Sequence, residues 1–216
     1  DEESVDSLPD LHDDEKLRLT EALHAKEDDV ALSLVDGGSA RVLGTIESNR
    51  ADYGAGVCAL SGGSLVLDGD AVVRENRAVA DGAGVYASAS SIVLRERSSI
   101  SSNTGTTEAS YAGGVYAEEG SSVKLFNTSS VDYNKAGYGS GLYIDSDSTL
   151  LLDGAVSVSH NRATGGAGGV KAINGAVIDV RGATLSGNTA ESGSGGAFEL
   201  RFEAVLSVQG MTANNN

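Results

Sequence analysis

The sequence predicts an all-β solenoid, a parallel β-helix of about six to seven 27-residue coils closed at its start by an N-terminal α-helical cap. Three observations carry that reading. An aliphatic residue, two small or polar residues and an asparagine recur at Ile46…Asn49, Val73…Asn76, Ile100…Asn103, Val131…Asn134, Val158…Asn161, Leu185…Asn188 and Met211…Asn214. The asparagines stand 27, 27, 31, 27, 27 and 26 residues apart, and a period held with one four-residue insertion marks stacked repeats. Between successive asparagines the chain alternates apolar and polar in three short segments, each too short for a helix. The 29 glycines, about twice the usual share of about 7%, fit many tight turns between strands.

Residues 1–29 stand outside the repeat. Residues 1–30 hold twelve acids and three bases, so −9 of the net charge of −16 sits there. Ser7-Leu8-Pro9-Asp10 supplies a capping serine and an early proline, and Leu8, Leu11, Leu19, Ala22 and Leu23 fall near one helical face. The expectation is an amphipathic helix over about 8–26. A solenoid exposes core side chains and strand edges at its ends, so this helix is read as the cover of the first coil.

Residues 30–216 form the β-helix in this reading. Ala31–Val35, the turn Asp36-Gly37-Gly38 and Arg41–Ile46 make a shortened first coil. Each full coil then has three segments, for example Gly84-Val85-Tyr86-Ala87, Ser91-Ile92-Val93-Leu94 and the segment ending at Asn103. Coils about 4.8 Å apart give a rod of roughly 30–35 Å with three parallel sheets. Val73, Ile100, Val131, Val158, Leu185 and Met211 are expected to form one inward stack, and Val57, Val85, Val115, Leu142, Val170 and Ala197 another. The insertion Thr106-Thr107-Glu108-Ala109 should bulge from a turn. Asn49, Asn76, Asn103, Asn134, Asn161, Asn188 and Asn214 should form a ladder at a turn, since asparagine tolerates left-handed backbone and its amides can bond along the axis. A leucine-rich repeat is the competing fold, but its unit returns through a helix, and these repeats return through glycine, serine and two more alternating segments.

Leu185-Ser186-Gly187-Asn188-Thr189-Ala190 followed by Gly195-Gly196-Ala197 resembles the paired motifs of chlamydial polymorphic outer-membrane proteins, an aromatic-x-x-Asn and a Gly-Gly-Ala-aliphatic. The resemblance covers about 40–216. It implies a right-handed, pectin-lyase-like β-helix, of the kind found in autotransporter passengers linked to adhesion. The family's phenylalanine is replaced here by Ile, Val, Leu or Met.

Catalytic chemistry is not legible in the pattern. Enzymatic β-helices gather acids on neighbouring coils of one face, with two carboxylates about 5–10 Å apart as the minimum for glycoside hydrolysis. Asp68 and Asp153 share a position three coils apart, while Asp70, Asp132 and Asp179 are scattered, so no such pair is expected. His12, His24 and His160 have no serine or cysteine placed for a triad. The glycine turns lack both the calcium-binding nonapeptide period and a following Gly-Lys-Ser/Thr. No catalytic, cofactor-binding or metal-binding residues are therefore assigned, and no cofactor.

Two outward rows are candidate contact surfaces. Tyr86, Tyr116, Tyr143 and Phe198, with Cys58 and Lys171 between them in the repeat, form an aromatic row suited to sugar or protein partners or to cross-strand packing. Arg50, Arg77, Lys135 and Arg162 follow the asparagines and form a weaker, cationic candidate. The acidic balance disfavours nucleic acid and anionic membrane, and no apolar run reaches membrane-span length. The lone Cys58 leaves the redox compartment open. Asp1 is read as a mature start, and Asn214-Asn215-Asn216 as the close of a coil that is either part of a longer rod or covered by another chain. The expected role is a non-enzymatic structural or adhesive rod of an extracellular or cell-surface protein, meeting a protein or glycan on a cell surface. The alternatives are a structural subunit docking neighbours through the open C-terminal end, and a carbohydrate-active lyase or hydrolase. An ice-binding solenoid would need Thr-x-Thr ladders that are absent.

Overall fold

The computed structural model of the chain describes residues 17–19 and 30–216. Those residues form strands, turns and bends, with no helix among them. Each coil passes through strands of different sheets, as in Val57–Leu60, Ser64–Leu67, Val72–Arg74 and Arg77–Ala78. Numbered in that order, sheets 1 to 4 contain seven, eight, seven and six strands, and every pairing is parallel between successive coils. Sheet 4 was not expected. It arises because the chain regains two extended residues after each asparagine turn, one outward and one small and inward, as in Arg50–Ala51 and Arg162–Ala163.

Period-two alternation puts the apolar residues inside. Sheet 2 stacks Leu65, Ile92, Val123, Leu150 and Ile178, and sheet 3 stacks Ile46, Val73, Ile100, Val131, Val158 and Leu185, all at most 1% exposed. Fully burying each such side chain stabilises by about 1.5–3 kcal/mol, and one core cluster runs from Leu32 to Leu185. The glycine just before each inward residue of sheet 1 is a matter of space. A Cβ on Gly56, Gly84, Gly141 or Gly169 would lie 2.5–2.7 Å from a carbonyl oxygen of the next coil.

The last coil departs from the expected register. The connection from Ala190 to Phe198 is one residue longer than that from Ala163 to Val170. Phe198, not Ala197, therefore faces Val170 in the inward row. The extra residue carries onward: the 27-residue period would bring Thr212 opposite Leu185, and the added residue makes it Ala213, where Met211 was expected.

At the other end, Leu17–Leu19 is a strand paired in parallel with Ser39–Val42 at the edge of sheet 2. This corrects the helix expected over 8–26 at those positions. The edge of the first coil offers unpaired N–H and C=O groups, and an added strand satisfies them as a helix cannot. The rest of the acidic segment, and so the rest of the expected cap, lies outside the described residues.

The asparagine ladder is continuous. Each Oδ1 accepts from both the backbone N–H and the Nδ2 of the asparagine one coil earlier, as Asn134 does from Asn103 at 3.0 and 3.0 Å. Each Nδ2 also donates to an aliphatic carbonyl of the preceding coil, as Asn134 does to Ile100 at 3.0 Å. Asn76, Asn103, Asn134, Asn161 and Asn188 are fully buried. The left-handed residue is the one before each asparagine: Ser48, Glu75, Ser102, Tyr133, His160 and Gly187, with φ between 54° and 62°. The final member is Asn216, which accepts from Asn188 N and Nδ2 at 3.1 and 2.9 Å. Asn214 is instead an exposed strand residue opposite Ser186.

Candidate functional site

The outward row of sheet 1 reads Ser33, Cys58, Tyr86, Tyr116, Tyr143, Lys171 and Glu199. Stacking at strand spacing brings the rings together: Tyr86 and Tyr116 lie 5.5 Å apart at 10°, Tyr116 and Tyr143 5.3 Å apart at 34°. Phe198 does not belong to this row, because the longer loop turns it inward and puts Glu199 in its place.

Of the two roles open for this row, contact surface and cross-strand packing, its geometry is that of packing. Tyr111 and Tyr138, joined by a parallel bridge between neighbouring loops, fold over it. Tyr111 packs edge-on against Tyr143 at 4.9 Å and stacks on Tyr138 at 5.4 Å. Tyr116 and Tyr143 are consequently only 7% and 4% exposed, and Tyr86 is half-buried with Tyr53 edge-on at 5.6 Å. A signal was present in the sequence: Tyr111 and Tyr138 stand 27 residues apart, one repeat.

Lys171 closes the row by laying its Nζ over the Tyr138 and Tyr143 rings, 4.8 and 5.5 Å from their centroids. Its ammonium is 3.6 Å from the buried Glu199 carboxylate, which Arg201 meets from outside at 2.5 Å. Burial pushes the Lys171 pKa down, with Glu199 opposing the shift.

The hydroxyl ends of the tyrosines meet acids. Glu118 faces Ser88, and Asp145 follows Ile144, which faces Ala117, so Glu118 and Asp145 occupy equivalent positions on adjacent coils. Tyr86 donates to Glu118. Tyr116 donates to Glu118 at 3.2 Å and to Asp145 at 3.4 Å. Asp145 also accepts from Ser146 N at 2.6 Å and Asn174 Nδ2 at 2.7 Å, and Ser88 donates to Glu119 at 2.5 Å. The two carboxylates thus converge on one phenol oxygen. Glu118 and Asp145 are neighbouring-coil acids outside the positions compared in the sequence. They escape notice because Glu118 ends its strand and Asp145 directly follows its own, at a position held by Leu60, Ser88, Ile173 and Arg201 in other coils.

Burial first, and then the nearby acids, raise the pKa values of Tyr86, Tyr116 and Tyr143. The phenols are thus fixed hydrogen-bond donors rather than bases. Asp81, accepting from Tyr111 N at 3.0 Å, is raised by burial, as is the thiol of Cys58. Four of the five acids weighed in the sequence have structural partners: Asp68 with Arg41, Asp70 with Arg97, Asp132 with Ser159 and Asp179 with Arg181.

Residues 34–213 match the family model described as the right-handed β-helix region. The chain belongs to that right-handed β-helix family. No curated protein and no solved structure gave a match.

On this β-helix the cationic row is aligned as expected: Arg50, Arg77, Thr104, Lys135, Arg162 and Thr189 follow one another in register along sheet 4. Arg162 pairs with Glu191. Among the described residues no group of three or more His, Cys, Asp or Glu could hold a metal ion, and no helix is long and apolar enough to cross a membrane.

Proposed function

We propose that this β-helix is a non-enzymatic, rigid module of an extracellular or cell-surface protein, making contacts with a protein or glycan through the acid–tyrosine face of sheet 1. The observation that carries this reading is the way the face is built. Six tyrosines pack into one cluster whose phenols hold Glu118 and Asp145, and burial and ring stacking fix those carboxylates in place. Preorganised acceptors on a stiff support bind hydroxyls or cationic side chains at low ordering cost. The motif resemblance to chlamydial autotransporter passengers supports an adhesive role for such a face.

A carbohydrate-active reading has one observation in its favour, the Glu118/Asp145 pair itself. Incubation of the purified chain and of Glu118→Gln and Asp145→Asn variants with a panel of polysaccharides separates the two. The adhesive reading expects retention on a glycan or cell surface, weakened about tenfold in the variants, and no new reducing or unsaturated ends. Product formation lost in Glu118→Gln would establish an enzyme instead.

A further inference from the structure

The acid–tyrosine face does not absorb the cationic row, and the row is anomalous. The chain has 31 acids to 15 lysines and arginines, so a cation here has partners in excess. Elsewhere in residues 30–216, five of the six arginines use them: Arg41 with Asp68, Arg74 with Glu47, Arg97 with Asp70, Arg181 with Asp179 and Arg201 with Glu199. Arg50, Arg77 and Lys135 have no ion pair among the described residues, although all three are exposed and long enough to reach neighbouring coils. Arg50 stands directly opposite Arg77, and Lys135 directly opposite Arg162. Like charges set opposite one another on adjacent strands are destabilising, and here they occur twice in one row.

A second feature lies beside them. Tyr133 and His160, each two residues before Lys135 and Arg162, stack at 4.8 Å and 7° on adjacent coils. Tyr133 is 61% exposed. Both are held at the turn in left-handed backbone, with φ of 56° and 54°, a conformation uncommon for bulky side chains. Along the next outward positions the row is floored by Val79, Thr106, Gly137 and Thr164, with the acids Asp52 and Glu191 at its two ends; on the turn side Glu75 stands two residues before Arg77, at the position of Tyr133 and His160. Flat aromatic surface flanking a file of cations suits a chain of sugar rings that carries anionic groups.

We propose that the strip formed by Arg50, Arg77, Lys135 and Arg162 with the Tyr133–His160 stack binds a linear sulfated polysaccharide laid parallel to the rod axis. The cations span four coil steps, about 19 Å at about 4.8 Å per step. The Arg50 and Arg77 guanidiniums and the Lys135 ammonium meet sulfates, Arg162 joins them by leaving its pair with Glu191, Thr104 in the gap offers a hydroxyl, and the stacked rings meet a sugar face. The strip belongs to the sheet 3–sheet 4 side of the coil and is distinct from Glu118 and Asp145. Its test therefore stands or falls apart from that of the acid–tyrosine face.

The experiment is binding of the full chain to heparin, to desulfated heparin and to polyphosphate between about 0.05 and 0.3 M salt. It compares the parent with Arg77→Ser/Lys135→Ser, with Tyr133→Ser and with the charge-matched control Arg97→Ser/Lys124→Ser. Expected are heparin binding that weakens with salt through counterion release, at least a tenfold loss in Arg77→Ser/Lys135→Ser and a several-fold loss in Tyr133→Ser. The control should stay within about twofold, with unchanged melting of all variants, and desulfated heparin should not bind. No binding of heparin at the lowest salt overturns the proposal, as does an equal loss in the control. Polyphosphate bound as tightly as heparin, with Tyr133→Ser without effect, would reduce the strip to a plain charge site and overturn the glycan assignment.

Discussion

Truncating one central rung of the asparagine ladder tests the architecture most directly. Asn134→Ala deletes four hydrogen bonds: two accepted by Oδ1 from Asn103 N and Nδ2, and two donated by Nδ2 to Ile100 O and to Asn161 Oδ1 at 3.1 Å. Not all four losses are equal. Asn103 Nδ2 keeps Val73 O at 3.0 Å, and Asn161 Oδ1 keeps the backbone N–H of residue 134 at 2.9 Å. The Asn103 backbone N–H loses its ladder acceptor at a position with no exposure, where water cannot replace it. An orphaned buried donor costs about 1–3 kcal/mol, and the remaining lost bonds add about 1 kcal/mol net. The expected destabilisation is roughly 2–4 kcal/mol, read by urea unfolding, or a fall in Tm of roughly 4–16 °C for a chain of this size. A variant unfolding together with the parent would show that the ladder fills space without holding the turns.

Asn216→Ala should cost about 1 kcal/mol or less, since the Asn188 N–H it frees lies at a part-buried end, while Asn214→Ala should stay within about 0.5 kcal/mol; the reverse order in urea unfolding would restore the register first expected from the motif. Gly84→Ala should cost about 1–3 kcal/mol, because its Cβ would sit 2.7 Å from Gly114 O and 2.8 Å from Ile100 Cγ2; a variant as stable as the parent would mean the coils are looser than they stand here. Alkaline pH should unfold the rod. Tyrosines in the unfolded chain ionise near about pH 10 while Tyr86, Tyr116 and Tyr143 are held neutral, so above that pH the folded state binds more protons and stability falls as pH rises. Lys171 works in the opposite direction, its lowered pKa adding stability as pH rises toward its unfolded value of about 10.4, but it is one group against three. Phenolate absorbance across pH 9–12 should show three of the seven tyrosines titrating only with unfolding, and seven ionising together in a still-folded chain would refute it.

The parts of this molecule that were legible in its sequence are those fixed by repetition. Inward rows such as Ile100–Val131–Val158 follow from alternation and a 27-residue period, because a residue that must stack on its equivalent cannot drift. The asparagines were legible for the same reason, up to Asn188. Reading failed where loop length rather than pattern decides. One extra residue among Glu191–Ala197 put Phe198 in the row assigned to Ala197 and made the last coil 28 residues long; the motif was read at 26 because the first of three successive asparagines gave a false match, so Ala213 and Asn216 hold the rows assigned to Met211 and Asn214. The short sheet 4 was missed because two-residue strands leave no alternation to see.

Whether an outward residue is a surface residue is a separate question from whether it points outward, and the tyrosine row shows why. Alternation sends Tyr116 and Tyr143 out of the core, yet a second layer formed by Tyr111 and Tyr138 buries them. The insertion takes part in building that layer. Its Glu108 carbonyl lies against Gly137, where a Cβ would not fit, and Ser110 Oγ accepts from Gly137 N at 3.2 Å, so the loop packs onto the next coil instead of bulging away from it. Tyr111 follows directly and its N–H is held by Asp81. The same four residues that break the period thereby set a lid over the aromatic row. What the lid leaves at its margin is the phenol–carboxylate edge of Tyr86, Glu118 and Asp145. Contact chemistry on sheet 1 accordingly passes from the rings to the acids, and substitutions aimed at that face belong at Glu118 and Asp145. Serine at Tyr116 or Tyr143 would open a buried cavity, and a binding loss in such a variant would report unfolding of the face.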